Sequence, residues 1–428
     1  MRPEVEDIFN FSATSDACVK CGKCIPVCTI HLVNPDEVTS PRGFIDLLGA
    51  YERGDLELDK NAKAIFESCF LCTNCVDVCP KALPTDMVIE QVRYDLGKKF
   101  GISWYKRAFF FLLRHRWVND LLFKMGWVVQ TCAFKLREEA QSMQGRFSLP
   151  LLKKERLLPA FSRTSFLRKY PENIDNGGKR RVAIFIGCLA NYNYTTIGDS
   201  LIEVLAALGI DAYLAKGQKC CGAPAYFTGD FDTVDVLAKA NIEYFESFID
   251  EVEAIIIPEA TCSAMLKVDY AHYFHDQPQW LARAKHLESK LFMATQWLET
   301  HTPLPQLLAT KKQQMPTVTY HDPCHARKMQ GVYQEPRRLI AKNFRVVEMS
   351  DPNRCCGFGG VTMQTQNYHY AQAAGAPKAA MIAQTGADYV AAECSACRMQ
   401  INDAMEQANV DTLFANPIEL IAKALREG

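Results

Sequence analysis

The chain has 428 residues, a formal net charge of −1 and 48% hydrophobic residues, which is an ordinary globular composition large enough for two to four domains. Its start carries acidic residues and no apolar stretch, and no uncharged apolar run approaches the ~18 residues that span a bilayer, so neither a signal peptide nor a membrane-spanning helix is expected. In the cytosolic location that follows, disulfides are rare, and the 18 cysteines are better explained as metal ligands.

Two cysteine clusters with the same spacing, C-x2-C-x2-C-x3-C, lie in the first hundred residues. This spacing is typical of proteins that bind two [4Fe–4S] clusters, in which the fourth cysteine of each motif ligates the cluster of the other. Pro80 follows the second motif as the pattern expects, whereas Thr29 stands where the first motif would have a proline. The predicted ligand sets are Cys18, Cys21, Cys24 and Cys79 for cluster 1, and Cys69, Cys72, Cys75 and Cys28 for cluster 2.

Two helices are predicted around these motifs. One begins after Ser40, with Pro41 in its first turn, and the other is capped by Thr85 and ends at Gly101. The clusters are therefore expected to lie in a helical domain.

The segment 98–170 differs from the rest, because it has 16 lysines and arginines against 4 acidic residues, a local balance of +12. Its first part repeats Phe110, Leu113, Trp117 and Leu121 at helical spacing, which predicts an amphipathic helix followed by an extended basic stretch. Such a segment suits an anionic membrane surface, and equally an ordinary helical hairpin with solvated arginines. Cys132 lies here, and is expected to be a buried small hydrophobe.

After a Gly-Gly boundary, short β-rich runs alternate with helical stretches, which indicates a parallel sheet of the βαβ type. The pattern occurs twice. The offset between the copies is 136 residues from Cys188 to Cys324, 135 at the paired cysteines and 132 from Cys262 to Cys394. This regularity indicates a duplication, with cysteines at the carboxyl ends of equivalent strands.

The second copy has five cysteines, one more than a cubane cluster or a tetrahedral zinc uses. Adjacent thiolates form a poor disulfide and can instead bridge irons of an opened cluster. The first copy has Met265 in place of the fifth cysteine, which leaves a cubane, a zinc ion or an empty site as alternatives. The predicted sets are Cys324, Cys355, Cys356, Cys394 and Cys397 for the second copy, and Cys188, Cys220, Cys221 and Cys262 for the first.

Two histidines, His321 and His325, flank Cys324. A histidine can ligate metal or carry a proton, but at a strand-to-helix junction it more often hydrogen-bonds the backbone and orients a neighbour. Gly357, Gly359 and Gly360 do not form a dinucleotide-binding fingerprint, and no flavin, nicotinamide or nucleic-acid motif is found.

The paired-cysteine copies resemble the CCG domain of heterodisulfide reductases and respiratory iron–sulfur subunits. Over nearly its whole length the chain resembles the iron–sulfur subunits of anaerobic glycerol-3-phosphate dehydrogenase, of glycolate oxidase and of lactate-oxidising complexes. The motifs that carry the likeness include "KCCGAPAYFTGD", "TYHDPCHARKMQG" and "GADYVAAECSACRMQI". The resemblance implies a noncubane [4Fe–4S] cluster in the complete copy.

The resemblance further implies an electron-transfer subunit. A separate flavoprotein dehydrogenase would oxidise glycerol 3-phosphate, glycolate or lactate, and this chain would pass the electrons one at a time towards membrane quinone, from the cytoplasmic face of the inner membrane. The alternative is a catalytic subunit like that of heterodisulfide reductase, which reduces a disulfide at the noncubane cluster. No nucleic-acid partner is expected.

The expected fold class is α+β/α/β, a helical two-cluster ferredoxin domain followed by two duplicated βαβ-type modules. The predicted parts are the ferredoxin-type domain (1–100), the basic aromatic helical segment and linker (101–176), the first CCG module (177–312) and the second CCG module (313–428).

Overall fold

The computed structural model describes residues 11–148, 153–310, 315–359 and 365–427. Some predicted features fall partly outside these residues: positions 1–10 of the ferredoxin-type domain, 149–152 of the basic stretch, 311–314 of the link between the modules, and Gly360. The chain forms two compact units. The smaller unit comprises Met1–Phe111, Gly222–Val236 and Cys355–Gly375, and the larger comprises Leu112–Cys221, Leu237–Arg354 and Ala376–Gly428.

The helices of the described residues are, in chain order, α1 Phe11–Ala17, α2 Thr29–Val33, α3 Pro41–Glu52, α4 Lys60–Glu67, α5 Asn74–Asp77, α6 Thr85–Phe100, α7 Trp104–Arg114, α8 Arg116–Ala133, α9 Phe166–Lys169, α10 Cys188–Tyr192, α11 Thr196–Ala207, α12 Ala223–Tyr226, α13 Phe231–Glu246, α14 Ala260–Ala264, α15 Tyr270–Tyr273, α16 Pro278–Glu288, α17 Ala294–His301, α18 Leu304–Ala309, α19 Cys324–Gln330, α20 Gln334–Ile340, α21 Tyr368–Thr385, α22 Ser395–Gln407 and α23 Pro417–Glu427. A π-helical turn, Met265–Asp269, joins α14 to α15.

The strands are β1 Phe134–Arg137, β2 Ser142–Gly145, β3 Leu157–Pro159, β4 Asn173–Ile174, β5 Arg181–Ile184, β6 Asp211–Leu214, β7 Ile255–Ile257, β8 Leu291–Met293, β9 Met315–Tyr320, β10 Phe344–Val346, β11 Tyr389–Ala391 and β12 Leu413–Ala415. They form three sheets, with strand orders β1-β2-β3, β4-β6-β5-β7-β8 and β10-β9-β11-β12. The predicted combination of a helical first part with later helices and sheets is confirmed.

The smaller unit is helical around the N-terminal cysteine motifs. The Ser40 side chain accepts a hydrogen bond from the Gly43 backbone N–H at 3.0 Å, and Pro41 opens α3 as predicted. The prediction that Thr85 caps α6 is wrong, because Pro84 occupies the cap position and Thr85 is the first helical residue. Phe44 of α3 and Phe66 of α4 are both buried and meet with ring centroids 5.6 Å apart.

A buried arginine of α6 fixes the backbone before the second cysteine motif. The Arg93 guanidinium donates to the carbonyls of Phe66, Cys69 and Phe227, with shortest distances of 2.8, 2.7 and 2.8 Å. Burial lowers its pKa, yet the group keeps all its partners. The chain enters the cysteine loop in one conformation because its carbonyls are held by this single side chain.

In the larger unit, two sheets carry the duplicated modules. In the first, β5 pairs in parallel with β6 and β7, and β7 with β8, while the short β4 is antiparallel to β6. In the second, all three pairings are parallel. Helices α11 and α23 pack together and share a core with both sheets that includes Leu201, Trp297 and Ile421.

The basic segment is not one amphipathic helix. It breaks between α7 and α8 at His115, so the predicted apolar face is divided: Phe110 and Leu113 are buried, whereas Trp117 and Leu121 are exposed. An antiparallel sheet, β1-β2-β3, follows the two helices.

Two buried glutamates at equivalent strand ends cap helices in the larger unit. The Glu259 carboxylate accepts from the Ser395 backbone N–H at 2.7 Å and from the Ser395 hydroxyl at the start of α22. Glu393 accepts from the Thr295 backbone N–H at 3.1 Å and from the Thr295 hydroxyl in α17. Burial raises the pKa of Glu259 to about 7 and that of Glu393 to about 8.

Replacing Glu259 by alanine is expected to lower the free energy of unfolding by about 2–4 kcal/mol, because it leaves a buried N–H and a hydroxyl of Ser395 without an acceptor. The E259Q variant keeps one acceptor oxygen and should lose less. Anaerobic urea unfolding measures the change, and E251A, at an exposed glutamate, is the control. Equal stabilities of E259A and E251A would contradict this role.

Candidate metal centres

The four cysteines predicted for cluster 1 surround one cavity of the smaller unit. Cys18, Cys21 and Cys24 lie on the loop between α1 and α2, and Cys79 lies just after α5. All four line a cavity of about 440 Å³, together with Arg42 of α3. The structure therefore brings together residues that are up to 61 positions apart, and that these four ligate one cluster stays a prediction.

The other four N-terminal cysteines surround a second cavity. Cys28 immediately precedes α2 and lines a cavity of about 370 Å³ with Cys69, Cys72 and Cys75 of the second motif. Thr29, the departure from the sequence pattern, lies here: its hydroxyl and the Cys72 thiol share a hydrogen bond of 3.4 Å. Sequence reasoning missed this role of Thr29, because the pattern marks only a missing proline.

Cys75 lines both cavities, as do Pro41 and Thr85. The two cysteine sets are therefore neighbours.

Burial acts against thiolates in the second cavity. It raises the pKa of Cys69 to about 11 and also raises the pKa of Cys28 and Cys75. A thiolate in such surroundings needs a compensating cation. Four soft sulfur donors around one cavity fit the positive irons of an iron–sulfur cluster.

The first CCG module also gathers its four cysteines. Cys188 begins α10 after β5, Cys220 and Cys221 follow β6, and Cys262 lies in α14 after β7. The Cys221 thiol donates to the Cys262 sulfur at 3.4 Å, and Cys188 is hydrogen-bonded to Cys220. Those hydrogen bonds and burial raise the pKa of Cys188 and Cys221, so this soft, closed donor set also calls for a metal cation.

The backbone of the paired cysteines is held by two buried side chains. The Asn241 amide donates to the Cys220 carbonyl at 3.0 Å, and the Tyr270 hydroxyl donates to the Cys221 carbonyl at 2.9 Å. Neither residue was singled out from the sequence, since both are far along the chain from the pair.

Gly187 lies beside this site, and Met265 holds the sequence position of the missing fifth cysteine. A Cβ on Gly187 would lie 3.0 Å from the Cys262 sulfur, and the residue has a φ of +73°, so glycine is required on both counts. Met265 is fully buried at the start of the π-helical turn.

In the second CCG module, three cysteines belong to the larger unit. Cys324 begins α19 after β9, and Cys394 precedes α22, which contains Cys397. The Cys397 backbone N–H donates to the Cys394 sulfur at 3.4 Å, and hydrogen bonding from Cys397 lowers the pKa of Cys394 to about 7. A thiolate at the start of a helix is favoured in this way.

The paired cysteines of that module, Cys355 and Cys356, belong to the smaller unit and are buried. The Gly357 backbone N–H donates to the Cys355 sulfur at 3.3 Å. Gly357 has a φ of +89° and packs closely against Ala374, so the turn after the pair requires glycine.

The two histidines beside Cys324 differ. His325 contacts the Thr261 hydroxyl at 3.3 Å and the Cys324 sulfur at 3.8 Å through Nδ1. His321 is buried, and its ring interacts with the Pro352 backbone, although neither ring nitrogen makes a hydrogen bond of ordinary length and angle among the described residues. Burial lowers the pKa of His321, which keeps the imidazole neutral. Cys132 is exposed on α8, and the prediction that it is buried is wrong.

Comparison with known families agrees with this organisation. Residues 14–83 match a 4Fe-4S dicluster domain, and residues 182–267 and 318–402 match the cysteine-rich domain CCG. The fold and the grouped cysteines therefore define an iron–sulfur protein, with multiple iron–sulfur clusters as its cofactors, as the sequence predicts.

Three relatives illustrate the similarity, and one of them, lactate utilization protein A, is similar enough to show the family. A probable glycolate oxidase iron-sulfur subunit of Bacillus subtilis is 29% identical over 80% of this chain and 79% of the relative. Lactate utilization protein A of Bacillus cytotoxicus is 32% identical over 53% of this chain and 92% of the relative. A subunit of the fumarate reductase (CoM/CoB) of Methanothermobacter marburgensis is 27% identical over 95% of this chain and 72% of the relative. The chain belongs to this family of iron–sulfur proteins, and in this chain a dicluster domain is combined with two CCG domains.

A solved structure resembles the fold. The crystal structure of a hypothetical protein from Helicobacter pylori aligns with a TM-score of 0.53 and 10% identity, covering 99% of this chain and 72% of that one. Among the described residues, no helix is both long enough and apolar enough to cross a membrane.

Proposed function

We propose that this chain is the electron-transfer iron–sulfur subunit of a flavin-dependent dehydrogenase complex of the glycerol-3-phosphate, glycolate or lactate type. It would receive electrons from a flavoprotein partner and pass them towards membrane quinone. The observation that carries the proposal is the pair of neighbouring cysteine-lined cavities that share Cys75. Relatives named as an iron–sulfur subunit of glycolate oxidase and as a lactate utilization protein support it.

The ligand sets proposed for the smaller unit follow the two cavities. Bound [4Fe–4S] clusters exchange one electron at a time, whereas a flavin releases two. The chain's part is to hold two such carriers side by side: Arg93 fixes the backbone at Cys69, and the buried Phe44 lines the second cavity. Cluster 1 is assigned to Cys18, Cys21, Cys24 and Cys79, and cluster 2 to Cys69, Cys72, Cys75 and Cys28.

For the CCG modules, the noncubane [4Fe–4S] cluster is assigned to Cys324, Cys355, Cys356, Cys394 and Cys397. The four sulfurs of the first module are assigned to a further metal centre, iron–sulfur or zinc, since both use soft thiolate donors. The proposal also includes the predicted domain boundaries, which follow residues 100, 176 and 312.

Anaerobic affinity purification from native membranes tests the proposed complex. A flavoprotein that co-purifies in equal amount, with flavin bound, is the expected result. Its activity with glycerol 3-phosphate, glycolate and lactate then identifies the substrate. A chain that purifies without any flavoprotein contradicts the proposal.

Membrane association is the second part of the proposal, and the exposed face of α8 supports it. Trp117, Leu121, Met125 and Val128 follow one another at helical spacing, and their exposed fractions are 71, 52, 55 and 62%. The opposite face of α8 packs on the rest of the larger unit, to which α8 belongs, and there Phe123 stacks on Tyr192 with centroids 4.3 Å apart. An exposed apolar stripe in a basic segment suits insertion at the headgroups of anionic lipids.

The triple variant W117S/L121S/M125S is expected to bind vesicles of anionic lipid at least tenfold more weakly, because each of these side chains contributes about 1 kcal/mol or more on burial in lipid. Vesicle co-sedimentation measures the effect. V236S, which changes an exposed valine of the smaller unit, is the control and should bind like the wild type. Unchanged binding of the triple variant would exclude α8 as the contact.

A second candidate function is reduction of a disulfide at the second CCG module, in the manner of heterodisulfide reductase. It is supported by the five-cysteine set and by the relative named as part of a fumarate reductase (CoM/CoB). The flavin-free chain, reduced chemically, would then consume a small disulfide, and C397S would abolish this activity.

A further inference from the structure

His321 is a buried histidine whose ring nitrogens make no hydrogen bond of ordinary geometry. It follows β9, it is 1% exposed, and its ring interacts with the Pro352 backbone without reaching the length and angle of a hydrogen bond among the described residues. A buried polar group without a well-formed hydrogen bond is destabilising, and such groups mark places where an additional atom belongs. The environment of the ring indicates which atom that is.

The sulfur of Cys397 lies beside this imidazole. Sγ of Cys397 and a ring nitrogen of His321 are within 4.8 Å of each other, and both side chains are buried. Cys397 is the fifth cysteine of the module. A neutral imidazole carries one N–H, and a thiolate sulfur accepts it.

The duplication provides an internal comparison. At the offset of the first cysteine, the first module has Phe185 in place of His321, and at the offset of the last motif it has Met265 in place of Cys397. Phe185 and Met265 are both fully buried. The histidine and the fifth cysteine are thus present together in one module and replaced together by apolar residues in the other.

The backbone beside the imidazole is held firmly. The backbone N–H of His321 donates to the Ala391 carbonyl at 2.9 Å. The backbone N–H of the next residue, Asp322, donates to the Pro352 carbonyl at 3.0 Å. The buried Asp322 carboxylate accepts from Arg327 and Arg337, each at 2.5 Å. The ring is therefore positioned by a rigid strand end, as expected of a group with a fixed target.

We propose that His321 donates a hydrogen bond from its imidazole to the Cys397 thiolate and thereby raises the reduction potential of the cluster in the second module. This hydrogen bond presupposes the ligand set proposed above. Because five thiolates already serve as protein ligands, the imidazole acts as a donor to sulfur and not as a further iron ligand. A donor stabilises the more negative, reduced state, and hydrogen bonds to cluster sulfurs are a known control of potential.

The test compares the full chain, purified anaerobically, with H321F and H321Q. H321F introduces the residue of the first module, and H321Q retains an N–H donor. In a redox titration followed by electron paramagnetic resonance, the second-module signal of H321F should titrate at a more negative potential, and that of H321Q should lie nearer the wild type. With ¹⁵N-labelled histidine, the wild type should show a weak nitrogen coupling that both variants lose.

Other outcomes separate the two levels of the proposal. A wild-type potential in H321F with full iron content, or a strong coupling typical of iron-bound nitrogen, would overturn the hydrogen bond while leaving the cluster in place. If C397S gave the same spectrum as the wild type, Cys397 would not be a cluster ligand. That result would overturn the ligand set, and the hydrogen bond with it. If H321F loses iron, its potential cannot be compared with that of the wild type. The proposal is then tested by the potential of H321Q and by the nitrogen coupling of the wild type, and absence of that coupling would overturn the hydrogen bond.

Discussion

The double variant C28A/C72A is expected to lose one [4Fe–4S] cluster and keep the other. Both cysteines line the same cavity, although they belong to different sequence motifs. The variant C24A/C28A removes two cysteines of one motif, but these line different cavities, and both clusters should be lost. Because each cluster contains four irons, the expected losses are about four and about eight irons per chain.

Iron analysis and electron paramagnetic resonance of the dithionite-reduced proteins measure this difference. In C28A/C72A, cluster 1 should give an electron paramagnetic resonance signal that is not complicated by a neighbouring cluster. The reason is that cluster 2, on the other side of Cys75, is missing. C132A, at the exposed cysteine of α8, is the control and should keep all its iron. If C24A/C28A retained a complete cluster, each motif would bind its own cluster and the crossed assignment would fail.

Replacing Arg93 by methionine should destabilise the smaller unit by about 3–5 kcal/mol. Methionine fills similar space but donates no hydrogen bond, so the buried carbonyls of Phe66, Cys69 and Phe227 lose their common donor. The loop of Cys69 is then no longer held, and cluster 2 should be lost faster on exposure to air. Anaerobic chemical unfolding and the rate at which visible absorbance bleaches measure the two effects.

Two further variants show whether this effect is specific. R93K keeps a charge but cannot reach three carbonyls at once, and an intermediate stability is expected. R53M removes an exposed arginine that pairs with Asp55, and it should change the stability by less than about 1 kcal/mol. If R93M were no less stable than R53M, Arg93 would not be the residue that fixes the cysteine loop.

Cysteine spacing carries most of what the sequence predicts about the candidate centres. A fixed spacing determines which sulfurs a short loop can present to one cluster, so the crossed sets follow from the spacing alone. The repeat offsets likewise place four cysteines of the first module together, and the Cys221–Cys262 sulfur contact of 3.4 Å agrees with that.

Contacts between distant residues could not be predicted in this way. Arg93 lies 134 positions from Phe227, and Asn241 lies 21 positions from Cys220, so no local pattern indicates either hydrogen bond. Helical periodicity is misleading in the basic segment, because it continues through the break at His115. The face that begins with buried Phe110 is therefore not the face that carries exposed Trp117.

Transfer of electrons through this chain is tested most directly by rapid mixing of the co-purified complex with the substrate of its flavoprotein, followed by freezing and electron paramagnetic resonance. The signals of clusters 1 and 2 should appear within the turnover time and disappear when a quinone analogue is added. In C28A/C72A, flavin reduction should persist while quinone reduction stops. Clusters that stay oxidised during full turnover, or undiminished quinone reduction in C28A/C72A, would contradict an electron relay through this subunit.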